Sequence, residues 1–398
     1  MHWVRLGFAA LLLLTGGCAY RHNFPYTHSF TASPVAEVRR VFTDSNGTFY
    51  PSRWDRAFTP PHKKWHAGSL LAESLDPAKP KPALYALIKS DEARQLDELE
   101  RFMAGRKRLF ILVHGINNDE EEARDAYRVI RQTIAPRAGD GIVEFYWDGL
   151  VTNPPKTSMS IAPARFWFDA AAYSKVAGAR GLRRILARVK DKDVHLISHS
   201  RGAAVVLAAL ADLPQDAGFM RGIEALDFDP DDGVAGNPGF LNPPPLPDHR
   251  NRYRLIFMAG AIGCVDFRMP GYADLPDDGL APQECKNLRP VPPGLVEIRY
   301  TLNPGDPVLG KYFLPSKALN PTDFGFRPAL GLALAQRWPL FPYCLRKEHP
   351  HPFARYVADP ELAEMLQAAG VKTRTPRAPT PPRSCEEPPA QDKSAKSQ

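Results

Sequence analysis

Ser200 stands in Ser198-His199-Ser200-Arg201-Gly202, with Val194-His195-Leu196-Ile197 before it and Ala203-Ala204-Val205-Val206-Leu207 after it. An apolar-leaning run enters a small-residue turn, and an apolar helix-forming run leaves it. A strand that bends sharply into a helix holds a serine hydroxyl clear of its neighbours, the layout of a nucleophile elbow. The following helix N-terminus offers unpaired backbone N–H groups to a developing negative charge. Gly202 lets that helix pack tightly against the strand. The usual pattern is G-x-S-x-G, and here Ser198 replaces the first glycine. A serine hydroxyl is nearly inert near neutral pH and needs a base within hydrogen-bond reach.

That base has to be delivered by other segments of the chain. Arg108-Leu109-Phe110-Ile111-Leu112-Val113 is a continuous apolar run, suited to a strand buried on both faces. It ends in His114-Gly115-Ile116-Asn117-Asn118. Residues 119–134 read as a helix capped by Asn118 or Asp119, with acids in its first turn and arginines later, as the macrodipole favours. Residues 142–147 form the next strand, residues 180–190 a basic helix, and residues 203–213 the helix after Ser200. Residues 254–260 and 295–301 are further strands, and residues 359–369 a last helix. Upstream, residues 38–49 read as a strand and turn, and residues 90–105 as a helix with Leu96, Leu99 and Phe102 on one face. Arg180, Arg183, Arg184 and Arg188 share one helical face, read as solvated, with anionic lipid heads as the alternative contact. Phe166-Trp167-Phe168, in an insert over residues 150–176, suits either a lid or ordinary core. Strands alternating with helices predict an α/β protein with a mainly parallel sheet. Long loops leave the C-terminal ends of its strands, where such sheets keep their sites.

The order of His114-Gly115-Ile116-Asn117-Asn118, a helix, a strand ending in Tyr146-Trp147, and Ser198-His199-Ser200-Arg201-Gly202 resembles the α/β-hydrolase superfamily. The likeness is closest to its serine-esterase-like branch with a His-Gly-x-Asn-Asn motif, and it covers roughly residues 107–368. It implies an α/β-hydrolase fold, with a mainly parallel central sheet flanked by helices and long Pro-rich insertions. It implies Ser200 as nucleophile and a base on the loop before the last helix. His351 lies nearer that helix, and His349 is the alternate. The acid is expected after the strand at 295–301, where Asp306 stands in a turn made by Pro304-Gly305. A carboxylate there fixes the imidazole tautomer and stabilises the imidazolium. Asp266, after the preceding strand, is the alternate acid. The resemblance implies an oxyanion hole from the N–H of Arg201 and that of Ile116 or Gly115. His114 and Asn117 are expected to shape that loop, and His199 to pack beneath the site. The Arg201 side chain suits a structural ion pair, with an acidic substrate group as the alternative. The implied reaction is hydrolysis of a carboxylic ester or lipid through an acyl-enzyme, and no metal or organic cofactor is implied. A phospholipase, or an inactive scaffold that keeps the fold, are the alternatives.

The chain has 398 residues, 41 of them Pro, and a formal net charge of +7. That charge is too mild to require nucleic acid, and no basic-aromatic stripe or finger motif calls for it. Arg5 precedes the apolar run Leu6–Leu14, which is too short to span a bilayer and reads as a secretory signal. Thr15-Gly16-Gly17-Cys18 resembles a bacterial lipobox, which implies lipidation of Cys18. Ala19 after it implies sorting to the outer membrane. The expected partners are therefore an ester or lipid substrate and the membrane, reached through Cys18. In an oxidising compartment Cys264, Cys285, Cys344 and Cys385 allow three pairings. Cys264–Cys285 with Cys344–Cys385 is preferred, because each closes a local Pro-rich excursion. The expected divisions are a signal peptide over 1–17, a tether over 18–35, the hydrolase domain over 36–372 and a disordered Pro-rich tail over 373–398. The sequence carries no signal of oligomeric state.

Overall fold

A computed structural model describes residues 20–21, 37–44, 47–51, 74, 80–116, 118, 120–147, 151–152, 173–211, 246–269, 285, 287–310, 322–345 and 350–374. Seven strands form the central sheet: β1 (Val38–Thr43), β2 (Arg108–Val113), β3 (Asp140–Trp147), β4 (Asp193–His199), β5 (Arg252–Met258), β6 (Leu295–Leu302) and β7 (Leu340–Cys344). Their spatial order is β1-β3-β2-β4-β5-β6-β7, and every neighbouring pair is parallel. The expected α/β class with a mainly parallel sheet is what forms. β2 and β4 lie at the centre, so His114 and Ser200, which follow their last residues, emerge side by side.

The helices are α1 (Pro82–Ala104), α2 (Glu120–Thr133), α3 (Arg183–Leu186), α4 (Gly202–Leu210), α5 (Pro328–Ala335), α6 (Phe353–Ala358) and α7 (Pro360–Ala368). A π-helical stretch, Ala177–Leu182, leads into α3. Successive strand residues point to opposite faces. Leu109, Ile111 and Val113 of β2 therefore join one core with Leu99 of α1, Ile185 of α3, Val206 of α4 and Leu334 of α5. Phe110 and Leu112 join the other with Tyr127 of α2, Tyr356 of α6 and Leu366 of α7. Both faces are covered, which is why β2 reads as an unbroken apolar run.

Several boundaries differ from the sequence expectation. α1 starts at Pro82, well before Ser90, because proline suits the first turn of a helix. β7 was not expected. Pro342 interrupts its pattern, and proline is tolerated there because β7 is an edge strand. The four arginines of the basic helix do not form a solvated face. Arg180 and Arg183 are buried, and Arg183 Nη1 donates to the Ala211 carbonyl at the end of α4, 2.6 Å away. Arg184 pairs with Glu92, and Arg188 with Asp97 and Glu100, all on α1. That stretch is wedged between α4 and α1, and the carboxylates of α1 hold it there.

Thr373, expected in the tail, is buried and bridges Ile134, and the Arg374 N–H donates to Thr133 O. Tyr20–Arg21, expected in the tether, pairs antiparallel with Val151–Thr152. Cys264 and Cys285 form a disulfide. Cys344 is also disulfide-bonded; Cys385, like Cys18 and Phe166-Trp167-Phe168, lies outside the described residues.

The N-terminal edge of the sheet carries charge. Arg108 grips Asp140 with two hydrogen bonds, and Arg254 reaches Asp193 and Glu297. His195 lies within this row, stacked on Phe110. Burial, with Arg254 and Arg108 close by, pushes its imidazole down to about 3. Folded His195 is thus neutral where the unfolded chain, titrating near 6.5, takes up a proton. Between those values the unfolded state binds more protons, so stability falls as pH is lowered. Urea unfolding midpoints should drop between about pH 7 and pH 4.5, and His195→Gln should flatten that slope, by at most roughly 1.4 kcal/mol per pH unit. An unchanged slope in the variant would place the acid sensitivity elsewhere.

Candidate active site

Ser200 occupies the corner between β4 and α4 with φ of 51°. A side chain with a Cβ avoids this left-handed region, at a cost of roughly 1–2 kcal/mol. Three backbone hydrogen bonds hold it. Ser200 N–H donates to Met258 O at 2.9 Å, and Ser200 O accepts from Ala203 N–H at 3.1 Å and Ala261 N–H at 3.2 Å. Two glycines make the corner possible. A Cβ on Gly202 would stand 2.6 Å from His114 O and 2.8 Å from Val113 O. A Cβ on Gly115 would stand 2.8 Å from Ser200 Cβ and 3.0 Å from His199 O. The end of β2 and the elbow therefore touch backbone to backbone. Ser198, where the usual pattern has glycine, is fully buried in β4 between Val113 and Phe257.

The structure brings Ser200, His351 and Asp306 into one hydrogen-bonded line. His351 Nε2 lies 2.8 Å from Ser200 Oγ, and His351 Nδ1 lies 2.9 Å from Asp306 Oδ2. Asp306 is fully buried. Burial by itself raises a carboxyl's pKa, but hydrogen bonds and the field of its neighbours, His351 first, outweigh it and hold Asp306 below its ordinary value. Oδ1 accepts the N–H groups of Val308 and Leu309, and Oδ2 accepts the Tyr356 hydroxyl as well as His351 Nδ1. An ionised Asp306 accepts a hydrogen bond from Nδ1–H, and this tautomer leaves Nε2 with a lone pair facing Ser200 Oγ. The Tyr356 hydroxyl accepts in turn from Asn303 Nδ2 at 2.7 Å.

Asp266 is not part of this line. Its Oδ2 accepts from Gly263 N–H within its own short turn, and its backbone oxygen is held by Arg289. His349 lies outside the described residues, as does Asn117. The Arg201 guanidinium is buried, donating to Ser174 Oγ and, at 2.7 Å, to Ala261 O. It braces the elbow against the segment after β5. His114 is wholly buried. Its Nε2 accepts from Trp147 N–H, so Nδ1 carries the proton and donates to Gly115 O at 2.8 Å. The carbonyl of Gly115 and the N–H of Ile116 share one peptide plane and point in opposite directions. Pinning the first therefore fixes the second. Among the described residues no group of three or more His, Cys, Asp or Glu is placed to hold a metal ion.

Sequence reasoning missed Tyr356 and Asn303. Asn303 sits three residues before Asp306, and Tyr356 five after His351, inside a helix. The available signal was the requirement that a buried carboxylate find more donors than one imidazole supplies.

Residues 91–226, about a third of the chain, match the family described as "Alpha/beta hydrolase of unknown function (DUF900)". The parallel sheet and its elbow are consistent with the α/β-hydrolase fold that this description names. The matched segment contains Gly115 and Ser200 and ends before Asp306 and His351. No curated protein matches. Among solved structures, Thermogutta terrifontis esterase 2, phosphonylated by cyclosarin, is similar at 15% identity and a TM-score of 0.29, over 67% of this chain and 84% of that one. An uncharacterized protein from Pseudomonas aeruginosa is similar at 12% identity and a TM-score of 0.26, over 65% of this chain and 43% of that one.

The two glycine contacts differ in what they should cost. Gly202→Ala drives a Cβ into two carbonyl oxygens that belong to the central strand, so it should destabilise the fold by roughly 1–3 kcal/mol or more in urea unfolding. Gly115→Ala presses on Ser200 itself, through the Ser200 Cβ. It should lose more reactivity at Ser200 than stability. The reverse ranking would mean that the loop and not the helix carries the packing.

Proposed function

We propose that the chain is a serine hydrolase that cleaves carboxylic esters, lipid esters included, through an acyl-enzyme. The hydrogen-bonded line from Ser200 through His351 to Asp306 carries this reading. Ser200 Oγ attacks the ester carbonyl carbon while His351 Nε2 takes its proton. The negative charge that develops on the carbonyl oxygen meets the N–H groups of Arg201 and Ile116, each worth ~3 kcal/mol in the transition state. His351 then gives its proton to the departing alcohol as the C–O bond breaks. Water attacks the acyl-enzyme, His351 takes the water's proton, and Ser200 leaves with it. Asp306, ionised and buried, stabilises the imidazolium formed in both halves.

A fluorophosphonate probe should label the wild-type protein and leave Ser200→Ala unlabelled. Asp306→Asn, which keeps the shape and reverses the preferred tautomer, should lower kcat on a p-nitrophenyl ester by about 10⁴-fold. A folded wild-type protein that neither labels nor turns over any ester would reduce the site to an inherited scaffold. Comparing p-nitrophenyl esters of rising chain length with phospholipid vesicles separates a soluble-ester esterase from a phospholipase.

We further propose that the protein is held in the bacterial envelope by lipid on Cys18. The apolar run Leu6–Leu14 followed by Thr15-Gly16-Gly17-Cys18 supports this. Labelled palmitate should enter the wild-type protein, and Cys18→Ser should take up none and leave the membrane fraction.

A further inference from the structure

His199 is a buried histidine that the proposed mechanism does not use. We infer that it is a positioning residue, holding the catalytic imidazole of His351 in place from the strand that carries the nucleophile; this rests on the serine-hydrolase reading above. His199 Nε2 lies 2.9 Å from the backbone oxygen of His351. Its ring stacks on Phe353, with centroids 4.7 Å apart and planes 13° from parallel. It thus grips the base's segment at two points, two residues apart. That segment is Pro350-His351-Pro352, whose prolines have no N–H with which to anchor it to neighbouring backbone. His351 itself ends no strand and lies just before α6. The grip from His199 supplies what the local sequence cannot.

The protonation of His199 follows from its surroundings. Burial, and then the nearby imidazole of His351, hold it well below its ordinary value. Asp306 acts in the opposite direction, and His114, Tyr356 and Phe353 complete its surroundings. A neutral ring has one N–H, and the His351 carbonyl is where Nε2 can donate it. Nδ1 is then a lone pair that neither competes for the Ser200 proton nor brings a second positive charge beside the imidazolium of His351. A lysine or arginine at this position would place such a charge there permanently. A serine would lack both the reach and the stacking surface.

The test uses two variants of the full chain, each checked for folding by circular dichroism. His199→Phe keeps a ring to stack and loses the donor; His199→Gln keeps an N–H near Nε2. Should His199→Phe not fold, His199→Met replaces it. Loss of the donor should lower kcat and the rate of fluorophosphonate labelling roughly 10- to 100-fold, with KM changed less than about twofold. His199→Gln should recover most of the rate. Wild-type rates in the donor-less variant overturn the inference, as does equal loss in both variants, because the donor kept by His199→Gln would then rescue nothing. A wild-type protein that the probe fails to label sinks the serine-hydrolase reading itself, before any variant is compared.

Discussion

Ser200 is held in a left-handed conformation that its own side chain disfavours, and the fold around it is arranged to keep it there. The restraints come from two strands and the segment after one of them. β5 supplies the carbonyl of Met258, the segment after β5 supplies the N–H of Ala261, and the end of β2 lies so close that Gly115 and Gly202 have no room for a Cβ. None of these contacts involves the serine hydroxyl. The hydroxyl is therefore left to meet His351, and the strain is offset by backbone hydrogen bonds made elsewhere. Arg201, next in sequence, ties the same corner to Ala261 and Ser174.

The second requirement is electrostatic. A carboxylate deep in a protein ordinarily becomes neutral, and a neutral Asp306 could not fix the tautomer of His351. His351 first, then two backbone N–H groups on Oδ1 and a tyrosine hydroxyl on Oδ2, keep it charged. The segment after Asp306, closed by Gly310 N–H donating to Asp306 O, aims the N–H groups of Val308 and Leu309 back at the Asp306 side chain, and Asn303 fixes the tyrosine. Besides His351 these donors are uncharged, so none of them adds a second cation beside its imidazole.

These two requirements differ in how visible they are in the chain. The elbow is local. An apolar strand, a small-residue turn and an apolar helix follow one another within fifteen or so residues, and that pattern places Ser200 and Gly202 without any tertiary information. Asp306 and His351 were expected from the α/β-hydrolase resemblance, which implies an acid after the strand at 295–301 and a base on the loop before the last helix. The partners that finish the site are long-range. Tyr356 meets Asp306 across 50 residues, and His199 meets the His351 carbonyl across 152. No periodicity encodes a contact of that kind. The same blindness explains the basic helix. Arg180, Arg183, Arg184 and Arg188 look like a solvated face until α1 supplies Glu92, Asp97 and Glu100. β7 was missed because a proline inside a strand reads as a break unless one knows that the strand is an edge.

The long-range contacts have a further consequence for how the site holds together. α4, which follows Ser200, belongs to one core, and α6, which follows His351, belongs to the other, on the opposite face of the sheet. Ser200 and His351 are thus carried by two separately packed layers that meet only over the C-terminal edge of β2, β4 and β5. Interiors are close-packed and pass on small displacements, so independent repacking of either layer would change the distance between Oγ and Nε2. A side chain rooted in the sheet and bonded to the base's segment removes that freedom. His199 is the last residue of β4, one position before Ser200, so any movement of the strand carries nucleophile and grip together. The sheet then serves as the common reference from which both reacting groups are placed.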